Sequence, residues 1–202
     1  MAADERSVSH PSEVTGVGDL DEVTLVARAQ DGAVGAFEIL VDRYQAPLFR
    51  HAHRLVSDRT AAEDAVQDAL ISAWQRLPSL VRPEAFRGWI YQITTRRCLD
   101  LLRARRTALP WDEQTEETAG TIPSIEQARD PARASEHQAQ LRALSTALAE
   151  LPAPQRAIWT MREIENMSYA DIALAMSLPV STVRGRIARV RLELMTRMAP
   201  WR

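Results

Sequence analysis

The sequence predicts an all-α protein of two small helical domains joined by an acidic, flexible linker. Apolar residues recur at three- and four-residue steps from Asp21 to Arg106 and again from Ala134 onward. This spacing buries one face of an amphipathic helix. Gly and Pro fall mainly between the helical segments, where they end one helix and precede the next. The stretch between the two helical regions has several Pro and acidic residues and no consistent period, which predicts a linker.

These patterns predict four segments. The first 20 residues carry Ser, Gly, Pro and acids without periodicity, which is typical of a disordered tail. We place the first domain at 21–106, the linker at 107–133 and the second domain at 134–199. Breaks at Pro152, Asn166 and Pro179 divide the second domain into four short helices.

Charge is unevenly distributed along the chain. The net charge is -2, from 25 Lys+Arg and 27 Asp+Glu. The segment 96–106 nevertheless holds five Arg against Asp100, and 180–202 holds six Arg against Glu193. Because clustered charge sets the local field, two basic surfaces that contact phosphate are predicted. Solvated helix faces are the alternative interpretation.

Several classes of protein are disfavoured by the sequence. The single Cys98 cannot form an internal disulfide, and no apolar run approaches the ~18 residues of a membrane-spanning helix. The polar N-terminus does not resemble a secretory signal, so we expect a cytoplasmic protein without membrane insertion. His51 and His53 lack partners at metal-binding spacing, and no Gly-rich phosphate loop follows a strand. We therefore expect no enzyme, metal or cofactor.

The segment MSYADIALAMSLPVSTVRGRIARVRLELM predicts a helix-turn-helix. Ser168 is expected to cap the first helix, assisted by Asp171 three residues later. Pro179 disfavours helical geometry at Leu178, so this helix should stop near Met176, and Ser181 is expected to cap the second helix.

The second helix of this motif has two contrasting faces. An apolar stripe predicts its buried side: Val183, Ile187, Val190, Leu194 and Met198. The opposite face combines small side chains with hydroxyls and cations, namely Ser181, Thr182, Arg184, Gly185, Arg186, Ala188 and Arg189. A helix that enters the major groove needs this combination, because small residues permit close approach while Arg and Ser/Thr reach bases and phosphates. An Arg-rich surface helix is the alternative.

Two helical segments of the first domain also carry distinctive faces. In the segment 60–75, a predicted buried stripe (Ala62, Val66, Ala69, Leu70, Ala73 and Trp74) lies opposite Glu63, Asp64, Gln67 and Asp68. From the residues alone, a solvated surface is the favoured interpretation of this acidic face. In the segment 86–106, aromatic residues stand beside arginines, which suits separated DNA strands because bases stack on rings while Arg holds the backbone. For Trp89 and Tyr91, packing in the core is an equally good interpretation.

Both domains resemble one known family. The run LPAPQRAIWTMREIENMSYADIALAMSLPVSTVRGRIARVRLEL resembles the promoter-binding carboxyl domain of extracytoplasmic-function sigma factors of the sigma-70 superfamily. The run LVARAQDGAVGAFEILVDRYQAPLFRHAHRLVSDRTAAEDAVQDALISAWQRL resembles the amino-terminal domain of the same family. The resemblance implies that the chain binds core RNA polymerase and promoter DNA, recognises the minus-ten and minus-thirty-five elements and assists strand opening.

The resemblance also implies residue roles. It assigns Ser181, Thr182, Arg184, Arg186 and Arg189 to the minus-thirty-five element. It assigns Asp64, Gln67 and Asp68 to the clamp of the largest polymerase subunit. It assigns the minus-ten element and melting to the loop 77–86 and the helix after it, with Phe86, Trp89, Tyr91, Arg96, Arg97 and Arg103 as candidates. Many relatives have Ala-Arg-Asn where this chain has Thr94, Thr95 and Arg96, so the base preference is left open.

Further partners follow from the same resemblance: the flap region of polymerase for the second domain, and an anti-sigma factor. The linker would run toward the active centre of polymerase, although a simple tether accounts for it almost as well. The alternative function is a helix-turn-helix repressor or activator that acts without stable polymerase binding. It predicts a palindromic operator and leaves the basic block of the first domain unexplained.

Overall fold

The computed structural model describes residues 20–108 and 131–199, without the side chains of 108 and 131–137. The predicted tail, apart from Leu20, and the linker from 109 to 130 lie outside the described residues. In the described ranges every regular element is helical, so the predicted all-α class is confirmed. The first region contains α1 (Glu22–Gln30), α2 (Val34–Val56), α3 (Arg59–Arg76) and α4 (Phe86–Ala108). The second contains α5 (Pro131–Ala149), α6 (Ala153–Glu163), α7 (Tyr169–Met176) and α8 (Val180–Arg197).

The first domain is a bundle in which α2, α3 and α4 pack against one another, with α1 packed against α2. Carboxylates begin two of the helices: Asp21 accepts from the Thr24 amide at 3.1 Å, and Asp58 accepts from the Ala61 amide at 3.0 Å. Such caps satisfy amide groups that have no partner inside the helix. Two short 3-10 turns, Leu77–Ser79 and Pro83–Ala85, connect α3 to α4 where a loop is predicted.

The second domain contains the four predicted helices. The Ser168 hydroxyl accepts from the Asp171 amide at 3.1 Å, and α7 ends at Met176 with Ser177 in the left-handed region. Both features confirm the prediction. The prediction that Ser181 caps α8 is wrong. The helix begins at Val180 after Pro179, whose fixed φ sets the extended geometry of the cap, so Ser181 already lies in the first turn.

The two domains pack directly on each other rather than standing apart at the ends of a linker. α4 packs against α7, and α2 contacts α6. A single apolar core runs through both, including Leu55 and Tyr91 from the first domain and Ile158 and Ile172 from the second. A smaller cluster holds α5 against α8 through Leu148, Leu151, Val190 and Leu194.

Over the described ranges, no helix combines the length and the apolar character that crossing a membrane requires. In the same part of the chain, no group of His, Cys, Asp and Glu is placed to hold a metal ion.

Candidate nucleic-acid and protein interfaces

Helix α8 presents its predicted polar face to solvent. Val183, Ile187 and Val190 are at most 1% exposed, which fixes the rotation of the helix. The opposite side is open: Ser181, Arg184 and Arg189 are exposed, and Thr182 and Arg186 are partly exposed. The five predicted DNA-binding residues of this helix therefore lie on one accessible surface, which we call the α8 outer face.

The arginines of the α8 outer face are available for a ligand. Within the residues that the structure describes, Arg184, Arg186 and Arg189 form no ion pair. Arg191 contrasts with them, because Glu163 accepts two hydrogen bonds from its guanidinium at 3.0 and 2.6 Å. These bonds hold the pKa of Arg191 above its usual value. Unpaired cations on a groove-sized helix surface suit phosphate and guanine.

Tyr169 orients one of these arginines. The guanidinium of Arg184 lies 5.3 Å from the centre of the Tyr169 ring, and that of Arg162 lies 4.6 Å from it. Arg162 is itself fixed by donating to the Met167 carbonyl at 2.7 Å. The ring thus restricts the Arg184 side chain through a cation–π contact. Sequence reasoning missed Tyr169, since an aromatic residue just after a helix cap gives no signal of its contact in space.

Helix α4 exposes a row of arginines. Arg96, Arg97, Arg103, Arg105 and Arg106 all reach solvent. Three of them pair with acids: Arg97 with Asp68 at 2.5 Å, Arg105 with Asp58 at 2.8 Å, and Arg103 with Asp100. Hydrogen bonds from the Ala61 amide and from Arg105 hold the pKa of Asp58 below its usual value. These pairs are exposed, so they lower the local positive charge at little gain in stability.

The aromatic residues of α4 face inward. Phe86, Trp89 and Tyr91 are 2%, 7% and 1% exposed. Phe86 packs edge-on against Tyr44 at 5.4 Å, and Tyr91 against His51 at 5.2 Å. Burial raises the pKa of Tyr91 above its usual value. In this conformation the three rings pack in the core, which agrees with the core-packing interpretation of Trp89 and Tyr91.

Helix α3 carries the predicted polymerase-binding residues on its exposed side. Asp64, Gln67 and Asp68 are exposed there, and Ile71 and Trp74 continue the same side at helical spacing, 51% and 37% exposed. We call these five residues the α3 outer face. The prediction that Trp74 is buried is wrong, because its ring packs on partly exposed Phe37 at 4.9 Å rather than in the core. An acidic edge beside exposed apolar side chains is typical of a protein-binding surface.

Glu165 joins the two domains. It lies in the turn after α6, and its carboxylate accepts from Arg54 of α2 at 3.1 Å and from the Tyr91 hydroxyl of α4 at 3.2 Å. Its carbonyl accepts from Arg87 at 2.5 Å. Sequence reasoning missed this cluster, because the residues are far apart in the chain and an acid in a turn is ordinarily solvated.

Comparison with protein families and known proteins covers both domains. The family model described as Sigma-70 region 2 matches residues 40–107, and Sigma-70, region 4 matches residues 141–194. RNA polymerase sigma-H factor of Pseudomonas aeruginosa is 36% identical over 178 residues, covering 83% of this chain and 88% of that protein. The ECF RNA polymerase sigma-E factor of Haemophilus influenzae is 32% identical over 187 residues, covering 90% of this chain and 97% of that protein.

Solved structures resemble the fold at similar coverage. CnrH, in complex with the cytosolic domain of CnrY, is 26% identical with a TM-score of 0.64, covering 89% of this chain and 97% of that one. The sigma factor RpoE from Bartonella quintana, in complex with the anti-sigma factor NepR, has a TM-score of 0.66 over 81% of this chain and 96% of that one. At 24% identity, the second likeness concerns the fold alone.

Proposed function

This chain belongs to the extracytoplasmic-function group of sigma-70 family factors, which direct RNA polymerase to initiate transcription at promoters, and from this premise we propose how its two domains divide the task. The first domain binds core polymerase and the minus-ten element. The second binds the minus-thirty-five element. The proposed domain limits are 21–106 and 134–199, with 107–133 as the connecting linker.

The α8 outer face is the proposed reader of the minus-thirty-five duplex. Its support is geometric: Ser181, Thr182, Arg184, Arg186 and Arg189 share one accessible surface, and an added Cβ at Gly185 would meet nothing within 4 Å. A groove wall can therefore approach the backbone of α8 closely. The arginines then reach guanine edges or phosphates.

The proposed minus-ten surface is the exposed side of α4, with Arg96, Arg97 and Arg103 as its cations. This proposal includes no direct contact between DNA and the aromatic rings of Phe86, Trp89 and Tyr91, because these rings are buried in the core beneath this surface. Arg96, at the position of the family's Asn, is longer and cationic. A backbone phosphate contact therefore suits Arg96 better than the reading of one base.

The α3 outer face is the proposed docking site for the clamp of the largest polymerase subunit. Asp64 and Asp68 supply charges that attract a basic partner, and Ile71 and Trp74 supply apolar area that dehydrates on contact. The second domain would bind the flap region. An anti-sigma factor is a further proposed partner, as RpoE has NepR in its solved complex.

We also propose a cytoplasmic, non-enzymatic protein, since its relatives are named as sigma factors and polymerase works in that compartment. The repressor alternative is not favoured, because the match to region 2 accounts for the first domain. The observation that carries the proposal is the presence of both sigma regions on one chain, each with an exposed arginine surface.

The test is transcription with purified core polymerase. Promoters selected from a random duplex library by the reconstituted complex would supply run-off templates. We expect transcripts of one defined length that require the chain. Absence of both a promoter-directed transcript and binding to core polymerase would overturn the proposal.

A further inference from the structure

We propose that Gln30 of α1 is a positioning residue for promoter opening: it holds the loop between α3 and α4 so that Val81, at the tip of the loop, enters the duplex where the strands part. This inference rests on the proposed function, since it concerns the minus-ten surface. It adds to that surface an apolar side chain outside α4 and a residue that acts through the loop.

The Gln30 side chain bridges two carbonyls of the loop. Its amide nitrogen donates to the Leu77 carbonyl at 3.0 Å and to the Leu80 carbonyl at 2.7 Å. A glutamine NH2 group has two N–H bonds, so it can serve both acceptors at once. Gln30 is the last residue of α1, and these acceptors lie 47 and 50 positions further along the chain. The loop is therefore tied to a helix that is distant in sequence.

The turn that Gln30 binds is also ordered by its own hydrogen bonds. Leu77 is fully buried, and its carbonyl accepts from the Leu80 amide at 3.0 Å. The Ser79 hydroxyl donates to the Arg76 carbonyl at 2.7 Å. One end of the turn is thus anchored in the core, and Gln30 fixes the other end, at Leu80.

Val81 follows directly after this fixed end. Because a peptide unit is planar, holding the Leu80 carbonyl also fixes the direction in which the chain reaches the Val81 Cα. On the other side, Arg82 precedes Pro83, which favours extended geometry at Arg82, as observed at φ -124° and ψ 102°. The position of Val81 is therefore set from both sides of the loop.

Val81 is the most exposed of the large apolar side chains in the described ranges, at 92%. Arg82 beside it is exposed too. An apolar side chain that enters a base step replaces some of the stacking that is lost when strands part, while a cation binds the backbone phosphate. The aromatic rings of α4 are packed in the core, so Val81 is an apolar side chain that this region already presents to solvent.

Gln30 makes this presentation rigid. A loop whose position is fixed before contact loses less conformational entropy when DNA binds. Without the Gln30 amide, the Leu77 and Leu80 carbonyls lose a donor, and the loop can adopt other conformations in which Val81 misses the base step. Gln30 therefore acts on strand opening through the position of Val81, and it need not touch DNA itself.

The test compares run-off transcription from two templates by reconstituted polymerase that contains the full-length chain. One template is the selected promoter as intact duplex, and the other carries mismatches that separate its strands over the minus-ten element. Gln30→Leu keeps the size of the side chain and removes both hydrogen bonds, and Val81→Ser removes the apolar tip. Gln45→Leu, at an exposed position of α2, is the matched control.

We expect Gln30→Leu and Val81→Ser to give at least about fivefold less transcript from the duplex and to stay within about twofold of the wild type on the mismatched template. Both variants should bind core polymerase as the wild type does. The double variant should transcribe no less than Val81→Ser alone, because Gln30 acts through Val81. Gln45→Leu should match the wild type on both templates.

Undiminished duplex transcription by either variant, an equal loss on both templates, an equal loss in Gln45→Leu, or losses that multiply in the double variant would overturn the inference. Weaker binding of core polymerase by Val81→Ser would also overturn it, because the loop tip would then contact a protein. If the wild-type chain gives no transcript from the duplex, the proposed function itself fails.

Discussion

The guanidinium of Arg97 lies 2.5 Å from the carboxylate of Asp68, so an ion pair links the arginine row of α4 to the acidic side of α3. Both side chains are about half exposed, at 51% and 49%. A pair this accessible is typically worth roughly 0 to 1 kcal/mol. Its significance lies in position, since Asp68 belongs to the proposed polymerase surface and Arg97 to the proposed minus-ten surface.

We predict that Asp68→Asn weakens binding to core polymerase by about threefold or more, while it changes the free energy of unfolding by less than ~1 kcal/mol. The reason is that the lost charge faces a partner and contributes little to the fold. A titration of labelled chain with core polymerase, beside urea denaturation, measures both quantities. Glu150→Gln, which removes an exposed ion pair in the second domain, is the control. Equal polymerase affinity in the two variants would contradict the assignment.

We predict that Arg184→Ala lowers affinity for promoter duplex by about 1 to 3 kcal/mol if the side chain contacts a base. Arg197→Gln is the matched control on the same helix, because Arg197 pairs with Glu150 and Glu193 away from the α8 outer face. Fluorescence anisotropy with the selected promoter measures the difference. An Arg184→Ala isotherm that matches the control would remove Arg184 from the DNA surface.

Tyr169 gives a separate prediction, because it acts through Arg184. Tyr169→Leu should lower promoter affinity by about 0.5 to 1 kcal/mol, the value of an exposed cation–π contact, whereas Tyr169→Phe should keep it. In the Arg184→Ala background, Tyr169→Leu should have no further effect on affinity. A double-mutant cycle measures this coupling, and additive losses would show that the ring does not act through Arg184.

The periodic features were predictable from the sequence. The stripe from Val183 to Leu194 fixes both the existence and the rotation of α8, and Pro179 with Ser168 fixes the ends of α7. The burial of individual side chains was harder to predict from the sequence. Whether Trp74 or Trp89 is buried depends on what packs against each ring: the Trp74 ring packs on Phe37 and is 37% exposed, whereas Trp89 is 7% exposed.

Contacts between the domains were beyond prediction for a related reason. From the sequence, Gly88 is only a destabilising residue inside a helix. Its role in the contact between the domains is visible only in the structure, where α7 lies against it. Glu165 and Arg54 are 111 positions apart, and no local pattern pairs them. The composition of the linker predicted two domains. The packing of one domain on the other could not be predicted, because each of the two contacting surfaces is only partly apolar.

His51 predicts the pH dependence of stability. It is fully buried, and burial, with a smaller contribution from Arg54, lowers its pKa to about 3. In the unfolded chain its pKa returns to about 6.5, so the unfolded state binds an extra proton between these values. This contribution to stability is therefore present above pH ~6.5 and is lost as the pH falls toward 3.

Urea denaturation at pH values from 7.5 down to 5 measures this effect. Below pH ~6.5 the contribution should fall by up to ~1.4 kcal/mol per pH unit. The His51 Nε2 lies 2.9 Å from the Thr95 hydroxyl oxygen. A His51→Gln side chain can retain a hydrogen bond to Thr95 and should flatten the slope of stability against pH, even if stability at pH 7.5 drops. His53→Gln, at a partly exposed position, is the control and should keep the wild-type slope. A His51→Gln profile parallel to the wild type would contradict the assignment.

Gly88→Ala should loosen the contact between the domains without weakening the first domain. Within a helix, Ala is favoured over Gly by about 1 kcal/mol, and outside the backbone of α4 itself the three heavy atoms nearest the new Cβ, at 3.0 to 3.1 Å, all belong to α7. Because two of these are backbone atoms, α7 must move away. We expect faster hydrogen exchange in α7 and on the facing surface of α4, with α2 and α3 unchanged.

Gly35→Ala in the first turn of α2, where an added Cβ meets nothing within 4 Å, should leave the α4–α7 contact as it is. Unchanged exchange in α7 of Gly88→Ala would mean that the two helices do not lie this close in solution.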